Sequence, residues 1–204
     1  MDRYERAMRW GLAGVLALPV MVGAQEPPNL RQLFETGQYQ AVVDNLPQRA
    51  DDPAAIYLAV QSYARLQQPA RVTVLLDQLA ARPVEDPWHH VGRAVLLVSR
   101  GDFEGALASA NQAVAVGAAV PEAHYQLGLV LAGRREFPAA AAAFDAAAER
   151  DPSYAYAFYQ AGLAYYRHRR IDVMAARFEA FLKTAPQAPE RTQVESIMRT
   201  VRGR

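Results

Sequence analysis

The sequence contains no cysteine. It can therefore form no disulfide, no thiolate nucleophile and no cysteine-ligated metal site, and an acyl anchor on an N-terminal cysteine is excluded as well. Lysine is nearly missing: of 22 basic residues only Lys183 is not arginine. There is no excess of charge of either sign. Three of the 22 basic and two of the 21 acidic groups lie in the first nine residues, so the remainder carries 19 of each. A neutral chain has no general electrostatic pull toward nucleic acid or an anionic membrane, and nucleic acid is not expected as a partner. The motifs of common chemistries are also missing. There is no His-Glu-x-x-His, no phosphate-cradling glycine loop, no Gly-x-Ser-x-Gly elbow and no dinucleotide fingerprint. The four histidines are His89, His90, His124 and His168. Neighbours such as His89 and His90 point about 100° apart on a helix, so they do not converge on one ion, and zinc needs at least three convergent ligands. No catalytic residue, metal or cofactor is expected, and the chain reads as a non-enzyme.

Only one apolar stretch resembles a targeting or membrane segment. Arg3, Arg6 and Arg9 precede an apolar run from Trp10 to Ala24 that ends Val22-Gly23-Ala24. A positive flank, an apolar run of this length and a small-residue exit describe a secretory signal peptide over residues 1–24, cut before Gln25. The run is shorter than the roughly 20 residues that cross a bilayer, and Pro19 also favours a signal over an anchor. The expected mature protein is periplasmic or secreted, with no stable membrane anchor after cleavage. Retention of the segment as an anchor is the competing reading.

What the chain does have is alanine, leucine and regularly placed proline. Apolar residues make up 51% of it, enough for a continuous core. Asp52-Pro53 and Asp86-Pro87 stand 34 residues apart, as do Pro87 and Pro121, and Pro152 and Pro186. Prolines start or interrupt helices, so even spacing marks loops between helical units. Short polar turns divide each unit at Gly37-Gln38-Tyr39, Gln67-Gln68-Pro69, Gly101-Asp102-Phe103, Arg135-Glu136-Phe137-Pro138 and Arg169-Arg170-Ile171-Asp172. The periodicity predicts helix pairs over 54–66/69–81, 88–99/103–116, 122–133/138–150 and 154–168/171–184. A shorter pair precedes them at 29–36/40–49. A last amphipathic helix over 190–201 carries Val194, Ile197, Met198 and Val201 on one stripe.

Small residues recur where two helices must approach: Gly128 and Gly162 are 34 apart, as are Ala106 and Ala140. Bulky ones recur where a core needs filling, with Leu76, Phe144 and Phe178 in one column and Leu79 and Phe181 in another. The segment Leu127-Gly128, Leu131, Ala140, Phe144, Ala147, Pro152 resembles the tetratricopeptide repeat (TPR) signature, and so does Ala161-Gly162, Tyr165, Phe178, Phe181, Pro186. The match departs at Val60, where a small residue is usual. It departs also at the first-helix tryptophan, replaced by Ile56, His90, His124 and Phe158. The resemblance implies an all-α, right-handed superhelical solenoid of helix-turn-helix repeats. It covers units of about 25–52, 53–86, 87–120, 121–154 and 155–186, followed by a C-terminal capping helix and tail over 187–204.

By the same resemblance, the first helix of each unit lines a concave face. Its inner positions are Tyr57, Gln61 and Arg65; Trp88, Val91, Val95 and Ser99; Glu122, Tyr125 and Leu129; Tyr156, Tyr159, Leu163, Tyr166 and Arg167. Tyr and Trp suit binding hot spots, so this groove is the expected site for a protein or peptide partner, as an extended segment or a helix. Some family members grip a C-terminal carboxylate with lysines and asparagines here. Tyr57/Gln61, Val91/Val95 and Tyr125/Leu129 replace that clamp. The resemblance implies an interaction scaffold or adaptor in the bacterial envelope. Alternatively it implies a structural or assembly subunit of a secretion, pilus or cell-wall complex, including a homo-oligomer formed through the terminal repeats or the 190–201 helix. Two plainer readings stand beside these. The tyrosines pack between repeats, and the run Arg167-His168-Arg169-Arg170 is a solvated turn.

Overall fold

The computed structural model describes residues 28–203; the expected signal segment, residues 1–24, lies outside them. The elements are α1 (Leu30–Glu35), α2 (Tyr39–Asp44), a 3₁₀ turn (Leu46–Arg49), α3 (Pro53–Arg65), α4 (Pro69–Ala80), α5 (Pro87–Ser99), α6 (Phe103–Val116), α7 (Pro121–Gly133), α8 (Phe137–Arg150), α9 (Ala155–Arg167), α10 (Ile171–Thr184) and α11 (Arg191–Arg202). No strand occurs among the described residues. Each helix packs on its sequence neighbour, giving an α-solenoid of hairpins. Boundaries follow the sequence reading to within one or two residues, except that α2 stops at Asp44 and gives way to the 3₁₀ turn.

Local chemistry accounts for the starts. Pro53, Pro69, Pro87 and Pro121 open their helices, where a missing N–H costs nothing. The Asp52 and Asp86 carboxylates cap α3 and α5 by accepting the Ala54 and Trp88 N–H, each at 2.9 Å. Between the two helices of every hairpin the chain reverses through one left-handed residue. These are Gly37 (φ +78°), Gln67 (+57°), Gly101 (+78°), Arg135 (+66°) and Arg169 (+62°). The following N–H returns to the carbonyl five residues back in all five, from Gln38 to Leu33, Gln68 to Tyr63, Asp102 to Leu97, Glu136 to Leu131 and Arg170 to Tyr165. This is the Schellman stop. Glycine suits it; Gln67, Arg135 and Arg169 hold the same conformation with a Cβ.

The inter-helix spacing rests on glycine. A Cβ on Gly128 would lie 2.6 Å from the Phe144 ring, and one on Gly162 would lie 2.5 Å from the Phe178 ring. The rings fill the space the glycines leave. In the unit before, Ala94, Ala106 and Ala110 meet as small residues around Val130. At the C-terminal end, α11 buries Val194 and Met198 fully and Ile197 and Val201 in part. Its apolar stripe therefore closes the core, as a cap must.

Candidate functional site: the inner face and its C-terminal edge

The inner-face helices α3, α5, α7 and α9 carry equivalent residues at intervals of 34, and α11 continues them. Glu190 lies one period after Tyr156 and Gln193 one after Tyr159, and in each case the two side chains touch. Tyr156 donates its hydroxyl to Glu190 Oε2 at 2.7 Å, and Tyr159 donates to Gln193 Oε1 at 3.2 Å. Arg65, from α3, donates to the other Glu190 oxygen at 2.9 Å. Its guanidinium sits 5.7 Å from the Tyr39 ring centre and 5.9 Å from that of Tyr156. Deeper in, the Tyr57 hydroxyl donates to Gln126 at 3.0 Å. The Tyr125 and Tyr154 rings lie 4.9 Å apart.

The N-terminal hairpin lies across this face. Arg31 donates to Glu122 at 2.7 Å, comes within 3.4 Å of Asp151 and stacks 4.2 Å over the Tyr154 ring. Phe34 meets Tyr156 edge-on at 5.2 Å. The Glu35 carboxylate accepts the N–H of Ala155, the first residue of α9, at 3.2 Å. Gly37 abuts Pro189. The array thus bends until its first and last units meet, and the concave face becomes interior.

This closure decides where the expected groove residues sit. Tyr57, Trp88, Val91, Glu122, Tyr125, Tyr156 and Tyr159 are buried; Gln61, Val95, Leu129 and Leu163 are half-buried; Arg65, Ser99, Tyr166 and Arg167 are exposed. The residues share a face, as the period requires, but this face is filled by the chain's own α1 and by residues 189–193. An open aromatic groove is absent among the described residues. Burial raises the Tyr57 and Tyr125 pKa values above the ordinary tyrosine range. It also pushes the Glu35 carboxyl up to about 7, the nearby Asp151 charge adding to the rise while the Ala155 N–H and Arg31 oppose it. Arg31, Phe34, Glu35, Glu190 and Gln193 were not among the sequence candidates. Continuing the period past Tyr156 and Tyr159 reaches Glu190 and Gln193. Counting back from the left-handed turn residue places Arg31 with Gln61 and Glu35 with Arg65.

The histidines serve the loops. His90 and His124, one period apart, donate Nε2–H to the carbonyls of Val84 and Ala118 at 2.8 and 3.0 Å, and His89 Nδ1 lies 2.9 Å from the Arg82 carbonyl. Among the described residues no three His, Asp or Glu side chains converge as a metal site, and no helix is long and apolar enough to cross a membrane.

Open space remains at the C-terminal edge. A cavity of about 640 Å³ is lined by Tyr166, Arg167, Arg169, Ile171, Thr200 and Val201. A second of about 300 Å³, lined by Arg135, Phe137, Gln160 and Leu163 among others, shares Arg167 with it. Arg134 and Arg170 are paired with Glu104, Glu136 and Asp172. Arg135, Arg167 and Arg169 have no acidic partner among the described residues.

No protein-family model matches the chain, and no curated protein matches it in sequence. Solved structures do match in fold. The thermophilic TPR protein TTC0263 of Thermus thermophilus is 22% identical with a TM-score of 0.59, over 82% of this chain and 94% of that one. YrrB, described as a TPR protein with an unusual peptide-binding site, is 19% identical with a TM-score of 0.52, over 82% and 88%. The first TPR of Spaghetti (RPAP3), bound to the HSP90 peptide SRMEEVD, is 14% identical with a TM-score of 0.54, over 59% and 98%. With its stacked hairpins, left-handed stops and glycine-ring contacts, the chain has the TPR fold.

Proposed function

We propose that the protein is a non-catalytic interaction module of the bacterial envelope, exported by residues 1–24, that takes a protein or peptide partner at its C-terminal edge. The observation that carries this reading is the pair of adjoining cavities with three arginines that have no acidic partner among the described residues. Tyr166 and Ile171 offer apolar contact beside Arg135, Arg167 and Arg169, a combination suited to a segment with carboxylates next to an apolar side chain. Peptide binding by fold relatives, among them the Spaghetti domain with its acidic HSP90 peptide, supports a peptide ligand. Of the groove positions expected from the sequence, Leu163, Tyr166 and Arg167 line these two cavities.

The reading as an assembly subunit draws no support from α11, since the stripe that would mediate self-association is packed inside the chain. A photo-crosslinking residue in place of Tyr166, introduced in the native host, tests the proposal. It should give discrete adducts that vanish when Arg167→Glu and Arg169→Glu are added. Adducts insensitive to both reversals would contradict the edge as the site. N-terminal sequencing of the exported protein should begin at Gln25, and an intact Met1 would remove the export part of the reading.

A further inference from the structure

We infer that the occupant of the arginine edge is a second copy of this chain, which enters with its opposite edge: Asp51, Val84 and Glu85 of one copy dock on Arg135, Arg167 and Arg169 of the next, head to tail. The inference rests on the reading of the arginine edge as a docking site and names what docks there.

The chain is neutral as a whole but its free charges are divided in space. Every hairpin turns at one end of its helices and joins the next hairpin at the other. Helices α3 and α4 have 13 and 12 residues, which sets the two edges about 20 Å apart. At the turn edge Arg135 and Arg169 are 34 residues apart. Both occupy the left-handed position of the same stop, so their side chains leave the backbone alike, one unit apart. At the inter-unit edge Asp51 and Glu85 are also 34 apart, and their loops are built alike. The Asp52 N–H returns to the Arg49 carbonyl at 3.0 Å and the Asp86 N–H to the Pro83 carbonyl at 2.9 Å. Asp52 and Asp86 then cap α3 and α5 in the same way. Asp51 and Glu85 each precede the cap by one residue, so they are presented in parallel at the interval that separates the arginines. Both are exposed and have no basic partner among the described residues. Two acids and two bases spaced by one repeat can pair at the same time.

Apolar exposure follows the same division. Five large apolar side chains are exposed among the described residues. Tyr166 and Ile171 line the 640 Å³ cavity beside Arg167 and Arg169. Val84, 57% exposed, adjoins Glu85, and Val116 precedes Gly117, which lies against Pro87 at the end of the same loop. The fifth, Val74, is on α4. The loop that carries Val84 and Glu85 is stiff. Prolines stand at 83 and 87, Arg82 pairs with Asp86 at 2.6 Å, and His90 holds the Val84 carbonyl at 2.8 Å. A stiff loop loses little freedom on docking, and this one presents a carboxylate next to an apolar side chain, the chemistry that the arginine edge suits. The acids belong to the second and third units and the arginines to the fourth and fifth, on opposite edges, so one chain cannot satisfy itself. The contact is heterologous and continues from copy to copy unless the rotation closes a ring. Few side chains take part, so the association is weak and salt-sensitive.

Sedimentation velocity of the purified protein from about 1 μM to about 1 mM tests this. The weight-average sedimentation coefficient should rise with concentration in low salt. The rise should be lost at about 1 M salt, where charges are screened within about 3 Å. Glu85→Arg and Arg167→Glu change exposed side chains and should each keep the protein monomeric over the whole range. Mixed in equal amounts, the two variants should form a pair that grows no further. One retains its arginine edge and the other its acidic edge, and the two remaining edges are dead. A wild type that stays monomeric throughout, association indifferent to either reversal, or a mixture that stays monomeric would overturn the inference. The edge reading has its own outcome. If the residue at position 166 cross-links in the host to a different protein, and Arg167→Glu and Arg169→Glu abolish that adduct, the edge stands as a docking site and the second copy alone falls.

Discussion

Between α7 and α10 the helices are spaced by rings pressed into glycine gaps, Phe144 on Gly128 and Phe178 on Gly162, each between the two helices of one hairpin. Where the N-terminal hairpin meets α7 and α9, the contacts are an arginine between two acids, one edge-on ring pair and a carboxylate on a helix start. The partners there are 91 to 122 residues apart. The first kind of contact is non-directional, proportional to buried area and indifferent to pH. The second depends on charge state and geometry, and each anchor can be lost alone. The difference separates what makes the solenoid from what closes it. The closure contains a contact that responds to pH, Glu35 at the start of α9, while the stack does not.

That separation can be broken at either end. Phe178→Ala should cost the most, about 3–5 kcal/mol, because it opens a cavity against Gly162 that the surrounding helices cannot collapse into. The loss should appear as a lower urea midpoint at every pH. Arg31→Ala leaves the buried Glu122 carboxylate unpaired and should cost about 1–3 kcal/mol. Hydrogen exchange should place the loss at α1 and the start of α9, with α3 to α6 unaffected. Glu35→Gln makes the closure insensitive to pH. Glu35 has a raised folded pKa of about 7, so its contribution is complete below about 4.5 and disappears as pH rises past 7. The variant should therefore be more stable than wild type by about 1–2 kcal/mol at pH 8, after discounting for screening, and equal to it in acid. Parallel urea titrations at the two pH values check both halves. The smallest effect is expected at the left-handed turns. Arg135→Gly and Arg169→Gly relieve a Cβ clash and should each stabilise by about 0.5–1 kcal/mol in thermal melts. Arg169→Gly should at the same time weaken partner capture at the edge.

The helices and their pairing were readable because proline spacing and apolar periodicity are local signals. Gly37 and Gly101 likewise announce left-handed stops. Gln67, Arg135 and Arg169 adopt the same conformation with nothing in their identity to show it; only their place in the repeat does. Membership of the inner face was also readable, since Tyr57, Val91, Tyr125 and Tyr159 stand at one interval. Whether that face is open was not. It depends on how far the array bends and on contacts such as Arg65 with Glu190, whose partners are 125 residues apart and follow no period. Aromatic content pointed to a hot spot, yet the same rings are equally at home in an interior. Arg167, Arg169 and Arg170 were visible as a basic run, but the pairing of Arg134 and Arg170, and the lack of an acidic partner for Arg135, Arg167 and Arg169 among the described residues, emerge only in three dimensions.

The absence of cysteine makes the closure directly measurable. Cysteines placed at the exposed positions Gln38 and Gln187, which flank the Gly37–Pro189 contact, can each carry a spin label with no competing thiol. Pulsed dipolar spectroscopy should return a single narrow, short distance below pH 7 that broadens above it. A broad distribution of long distances at every pH would mean that the first and last units do not meet and that the inner face is an open groove.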